Sequence, residues 1–368
     1  LDVNQADVTP GARHVIGRVL LNGVEVPFVS LDVDSNNFYS ADTFSAVFAL
    51  SAMPAETGTL AWWSEQKEIQ LEVTVGLIGQ NLTDWKTHII GGVDRWNFRP
   101  GKFEVYVEGR DYTAKFIDTK TSEKFSNYTT SQVATLLANR RGLTPVVTAT
   151  STSVGGITKY DHTHCNDERS EWDLLSYFAG VDGFQVYVSG NELHYEPALD
   201  PDAADQYLIR WLPPGTFAYP MANVTDDLSF DRDLTLAKGV TVTVRSWNGG
   251  KAFTETYPNS SAKGISPGNS EPKRQVYSIV RSGLDRQAAQ QLAQKLHKQI
   301  TDHEMRMSGS MPGDNTLTPS TIIRVEGTSS AFDQLYYADS VRRSLSYESG
   351  YTMSFSAKNH NPNSMVLP

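Results

Sequence analysis

A single cysteine, Cys165, occurs in 368 residues. That excludes an internal disulfide framework and suits a reducing compartment or indifference to redox state. No apolar run comes near the roughly 18–20 residues that cross a bilayer as a helix. The opening stretch LDVNQADVTPGARHV has no basic n-region and no apolar h-region, so no signal peptide is expected. Positive charge is in deficit: 32 Lys and Arg against 42 Asp and Glu give −10 at pH 7. A dedicated nucleic-acid binder normally presents a basic face, and this balance argues against one. It is compatible with a surface that nucleic acid slides past without sticking, because like charge repels phosphate. Also missing are G-x-G-x-x-G, the P-loop and the D-x-D-x-D-G calcium loop.

What is present suits folded domains. Apolar residues make up 39% and aromatics 10%, enough for real cores. The length exceeds one ordinary core, so about two to four domains are expected. Sequons begin at Asn81, Asn127, Asn223 and Asn259, but they matter only in a eukaryotic secretory setting.

Residues 12 to 113 read as strands. Val29, Leu31 and Val33 alternate with polar neighbours, as do Phe44, Ala46, Phe48 and Leu50. Ile69, Leu71, Val73 and Val75 continue the pattern, and Phe103, Val105 and Val107 close it. Short period-two runs between Gly, Pro, Asn and Asp clusters predict an antiparallel barrel or sandwich. The texture then changes. Thr129 and Gln132 form a capping box, Tyr128 and Val133 a hydrophobic staple, and Gly142 a ready stop, which predicts a helix over 130–141. Ser170 and Asp173 repeat the logic ahead of Trp172, Leu175, Phe178 and Ala179. Phe184, Val186 and Val188 then lead through Ser189-Gly190-Asn191 to Leu193 and Tyr195, a hairpin signal.

After about 205 strands return in GVTVTVRSW, RQVYSIVRS, TIIRVEG and YTMSFSAK. One helix over 283–303, capped by Ser282, interrupts them, with Leu284, Ala288, Leu292, Leu296 and Ile300 four apart. Segments 248–275 and 308–320 read as long mobile loops. The expected fold class is β-rich α+β. Its divisions are a first β-barrel at 1–113, a small α+β module at 114–204 and a second β-barrel at 205–368 with the inserted helix.

Candidate chemistry is sparse. GISPG at 264–268 fits G-x-S-x-G, but Pro267 follows Ser266 and has no N–H for an oxyanion hole. His162, His164 and Cys165 in DHTHC have no accompanying C-x-x-C or H-E-x-x-H to complete a metal site. Glu171, Asp173, Glu192 and Glu196 contain the carboxylates a glycosidase pair would need. The first two fall in a helical first turn, which favours acids, and the others flank a hairpin. Trp172 reads as a core anchor. The expectation is therefore no catalytic, cofactor-binding or metal residue. A carbohydrate- or cell-surface-binding protein using Trp62, Trp63, Trp85 and Trp96 is the alternative, and a peptidoglycan hydrolase using Ser266, Asp173 or Glu171 is a third reading.

The succession GRDYTAKFID, NYTTSQVATLLANRRGL and EWDLLSYFAGVDGFQVYVSGNELHYEP resembles the late-control D family of phage tail proteins. These are baseplate hub proteins of contractile-tailed phages, similar to the N-terminal part of type VI secretion spike proteins. VLLNGVEVPFVSLDVDSNNFYSADTFSAVFALS and YYADSVRRSLSYESGYTMSFSAK share the resemblance, so it covers most of the chain. It implies a non-enzymatic homotrimer. Each chain would supply two tube-type β-barrels to a ring of pseudo-sixfold symmetry, joining a hexameric tail tube protein to a trimeric central spike protein. Other baseplate proteins would be further partners, and DNA would pass through the lumen without specific binding. The location implied is the virion tail baseplate, after synthesis in the bacterial host cytoplasm. With no needle-like repeat after the second β domain, a free-standing hub is expected rather than a fused spike.

Overall fold

A computed structural model describes residues 14–37, 39–79, 83–121, 123, 125, 127–154, 169–198, 206–212, 227–232, 240–248, 250–258, 275–281, 283–301 and 305–359. The first unit contains β1 (His14–Leu21), β2 (Val24–Val26), β3 (Ser30–Asn36), β4 (Thr43–Ala49), β5 (Gln70–Ile78), β6 (Thr83–Arg99) and β7 (Glu104–Asp111). A short helix, α1 (Leu60–Glu65), is capped by the Thr59 side chain. Side chains two apart on a strand share a face. Leu31 and Val33, Phe44 and Phe48, Leu71 and Val73, and Val105 and Val107 are therefore all carried into one core around Trp63. Trp63 is 0% exposed, and its indole N–H donates to the Thr57 carbonyl at 3.0 Å. β6 crosses Gly91 and Gly92 without ending. A Cβ at Gly91 would lie 2.1 Å from the Arg110 carbonyl oxygen, so the close approach of β7 requires glycine there.

The next stretch contains α2 (Thr113–Ile117), β8 (Lys120–Thr121), α3 (Thr130–Arg140), β9 (Thr144–Val147), β10 (Arg169–Ser170), α4 (Glu171–Asp182), β11 (Phe184–Ser189) and β12 (Glu192–Pro197). Both capping boxes form, Thr129 with Gln132 and Ser170 with Asp173. Gly142 and Gly183 take positive φ, at 73° and 71°, where the two helices stop. Val133, Leu137, Leu175, Phe178, Val186, Leu193 and Tyr195 bury together as a second core.

The remaining elements are β13 (Gln206–Arg210), β14 (Ser229–Arg232), β15 (Val240–Asn248), β16 (Lys251–Tyr257), β17 (Gln275–Val280), α5 (Arg286–Thr301), β18 (Met305–Pro312), β19 (Ile322–Glu326), β20 (Leu335–Ser346) and β21 (Gly350–Lys358). One large sheet runs β14-β18-β21-β20-β3-β4-β7-β6-β5-β1-β2, with β19 on β20 and β13 on β19. The chain is thus β-rich α+β. Its two strand-rich halves share a ladder, β20 antiparallel to β3 from Ser340↔Asn36 to Ser346↔Ser30. Among the described residues this path is open: β2 pairs with β1, and β14 with β18.

Three sequence expectations need correcting. Segment 248–275 contains β16, hairpinned onto β15 through Asn248↔Lys251, with Gly250 at φ 80° in the turn. Asn-Gly-Gly is a hairpin turn as well as a loop signal, and KAFTETY alternates after it. Segment 308–320 begins inside β18 and then buries Asp314, Asn315 and Leu317. The helix expected at 283–303 spans 286–301. Asp285 caps it, its carboxylate accepting from the Ala288 N–H at 2.8 Å, while Ser282 lies outside the described residues. Its buried stripe is Ala289, Ala293 and Leu296 rather than the strict four-apart series. Steps of four overshoot a 3.6-residue turn, so the series drifts off the packed face. With β15, β16 and β17 this helix makes a small core of its own, packed on Val240, Val242 and Val244.

Candidate functional site

A buried polar arrangement lies where the two halves join. On β20, Val341 packs in the second-half core and Leu345 against the first. Arg343 lies between them on the same face and is 3% exposed. Its Nε donates to the Asp314 carbonyl at 3.0 Å and its Nη2 to the Leu317 carbonyl. Asp314 is itself fixed. One carboxylate oxygen accepts from the Thr316 and Leu317 N–H groups at 2.7 and 3.0 Å, and the other from the Tyr207 hydroxyl. Asn315 reaches into the first half, donating to the Val75 and Asp84 carbonyls at 3.0 and 3.1 Å. Its Oδ1 lies 3.1 Å from the Tyr351 hydroxyl and 3.0 Å from His88 Nε2. Buried polar groups need partners, and here each finds one, with Asn315 finding its own across the seam. Residues 314–317 therefore act as a clasp.

Beside the clasp a cavity of about 290 Å³ is lined by residues of both halves and the α+β module, among them Asp42, His88, Asp111, Trp172, Tyr187 and Arg343. Asp42 keeps part of its surface open to this cavity yet lies deep among protein atoms. Burial pushes it up to about 7, opposed by the Asn36 N–H at 2.7 Å and reinforced by the charge of Asp34. Asp111 is pushed well above the usual carboxylate range by burial and then by Asp42, while accepting from the Thr113 N–H and hydroxyl at 3.2 and 2.8 Å. Burial, and next the Arg343 charge, lower His88 to about 3, so its ring is neutral at physiological pH. Burial thus favours the protonated form of both acids, and their hydrogen bonds fix the geometry. Among the described residues no group of three or more His, Cys, Asp or Glu side chains is placed to hold a metal ion.

The acids singled out from sequence have separate local partners. Glu171 is buried and takes both forks of Arg141, each at 2.7 Å, closing α4 onto α3. Asp173 accepts from the Ser170 N–H within its capping box. Glu192 lies 3.3 Å from His194 Nε2, and Glu196 accepts from the Tyr187 hydroxyl at 2.8 Å and Gln185 at 3.1 Å. Trp172 is buried, donating to the Tyr39 carbonyl at 2.6 Å. Trp62 and Trp96 pack against Trp63 at 5.1 and 5.9 Å, which leaves Trp63 no face for a sugar. Trp85 is the more open indole, with the Arg18 guanidinium 5.0 Å from its ring. Ser266, His162, His164 and Cys165 lie outside the described residues, as do sequons Asn81, Asn223 and Asn259. Asn127 is described, in the left-handed region at φ 63°. No helix among the described residues is long and apolar enough to cross a membrane.

The seam residues were not foreseen. One signal for them stands in YYADSVRRSLS, where Arg343 occupies the inward position between Val341 and Leu345.

No protein-family model and no curated protein matches the sequence. Solved structures do share the fold. A tail protein from Neisseria meningitidis MC58 aligns over 94% of this chain and 96% of its own, at TM-score 0.65 and 15% identity. The 43 kDa tail protein of prophage MuSo2 from Shewanella oneidensis aligns over 96% and 100%, at TM-score 0.64 and 13% identity. An E. coli component of the type VI secretion system, itself structurally similar to T4 bacteriophage tail proteins, aligns over 95% and 79% at TM-score 0.51 and 11% identity. The likeness runs through nearly the whole chain.

Proposed function

We propose that this chain is a structural baseplate hub of a phage or phage-like tail, without catalytic residues. Three copies close into a ring of pseudo-sixfold symmetry that joins a hexameric tail tube to a trimeric central spike, within the virion baseplate. The observation that carries the reading is the end-to-end likeness to two tail proteins, one of them from a prophage, 96% and 100% of whose own chains are covered. Three further features support it. The large sheet ends on β2 and β14, whose outer edges have no strand partner among the described residues and are suited to pairing with a neighbour. Repeating one such heterologous contact closes a ring. The acidic balance of the chain lets DNA traverse a lumen with little adhesion. The clasp fixes the two halves of each subunit against each other, as a ring that bears load requires.

Deleting the gene from the producing bacterium is expected to abolish particles with assembled tails, seen by electron microscopy, and a plasmid copy is expected to restore them. Antibody-gold against the chain should mark the tail end distal to the head. Normal tails without the gene, or label confined to the head, would overturn the reading.

A further inference from the structure

The unit of β15, β16, β17 and α5 differs in charge from the rest of the chain. Its described residues carry six Lys or Arg against two Asp or Glu, in a chain with 32 against 42. Residues 14–113 lean the other way, with seven against thirteen. One face of the small sheet is covered by α5. The other is bare. Strand register places Val276 beside Thr241, Val280 beside Arg245, and Trp247 opposite Ala252 on that second face. Trp247, Val276 and Val280 are 60%, 67% and 74% exposed. Their described neighbours on this face are threonines, Ser278, Ala252 and Arg245, with no carboxylate among them. Exposed apolar groups gathered around an aromatic and an arginine have the composition of an interface core.

The module sheet of β9, β12 and β11 has the same pattern, a central strand antiparallel to one neighbour and parallel to the other. Its polar face is occupied from within the chain. Tyr187 and His194 stack at 4.6 Å, Glu196 holds Tyr187, and β11 lines the junction cavity. The corresponding face of the basic unit has no such cover among the described residues.

We infer that this bare face seats a second copy of the chain, receiving the acidic first β unit of the neighbour; the inference rests on the ring reading above. Charge decides the geometry. Two copies meeting face to face would set Arg245 against Arg245 with no acid between them, and like charges across an interface are costly. A surface rich in Asp and Glu satisfies Arg245, and residues 14–113 supply one on every copy. The contact is then heterologous, the type that propagates around a ring. Trp247 is the expected anchor, since buried tryptophans carry much of the binding energy at such contacts.

The test is a photo-reactive benzophenone side chain placed at position 276 of the full chain, with position 280 as a second site. Illumination is followed by peptide mapping, and light scattering on the same sample gives the assembly state. Both positions are exposed, so matching thermal melts should show the fold intact. Cross-links from position 276 to residues 14–113 of another copy are expected, weakening severalfold in Arg245→Glu and at high salt. A trimer by light scattering with no cross-link from either position, or cross-links only elsewhere, overturns this inference and leaves the ring reading standing. A monomer at high concentration overturns both. Cross-linking to added DNA in place of a second copy overturns the inference in favour of a polyanion site.

Discussion

Replacing Arg343 with methionine lowers the unfolding free energy by about 3–5 kcal/mol. The side chain is replaced by one of comparable length that packs between Val341 and Leu345, so the loss is electrostatic rather than a cavity. Without the guanidinium, the Asp314 and Leu317 carbonyls have lost their buried donor. Each stranded carbonyl costs about 1–3 kcal/mol. The clasp loosens with it, because Asn315 bridges to the first half from the same segment. Arg342 is the internal control. It is the next residue on β20, points to the other face, and meets Asp32 at 3.4 Å with its side chain 56% exposed. Arg342→Met should change stability by less than about 1 kcal/mol. Denaturant midpoints for the two variants make the comparison, and equal shifts would remove Arg343 from its place in the seam.

Asp42→Asn has the second large effect, and it depends on pH. Asp42 has a folded value of about 7 against 3.8 for an ordinary aspartate. The folded state holds its proton more tightly, so the stability this group contributes is complete below about pH 4 and is lost as pH rises through 7. His88 runs the other way, about 3 when folded against 6.5. Its contribution is complete above pH 6.5 and is lost as pH falls toward 3. In the wild type the two slopes oppose each other between about pH 4 and 6.5. Asparagine at 42 is neutral throughout, so the variant should gain on the wild type as pH rises from 4 to 7, by on the order of 2–4 kcal/mol. A stability difference that stays flat across that range would show that Asp42 ionises freely in the folded protein.

What could be read from the sequence was local. The period-two runs on β3, β4, β5 and β7, both capping boxes and the Gly190-Asn191 hairpin turn depend on neighbours a few residues away, and all appear in the structure. What escaped depends on partners far along the chain. β6 was hidden because Gly91 and Gly92 look like a break, and only the backbone of β7 explains them. β20 was masked by a bulge between Ala338 and Ser340, which shifts the buried positions out of strict alternation. Residues 313–320 look like loop because Gly, Asp, Asn, Thr and Pro satisfy turns. The same polar side chains here satisfy a buried junction with partners more than two hundred residues away.

Imaging the purified chain by single-particle electron microscopy, with its mass from light scattering, puts the ring itself to the test. Class averages should show a closed annulus with an open centre and three copies, at three times 40.7 kDa, about 122 kDa. Solid particles of 40.7 kDa at every concentration, with no central opening, would contradict it.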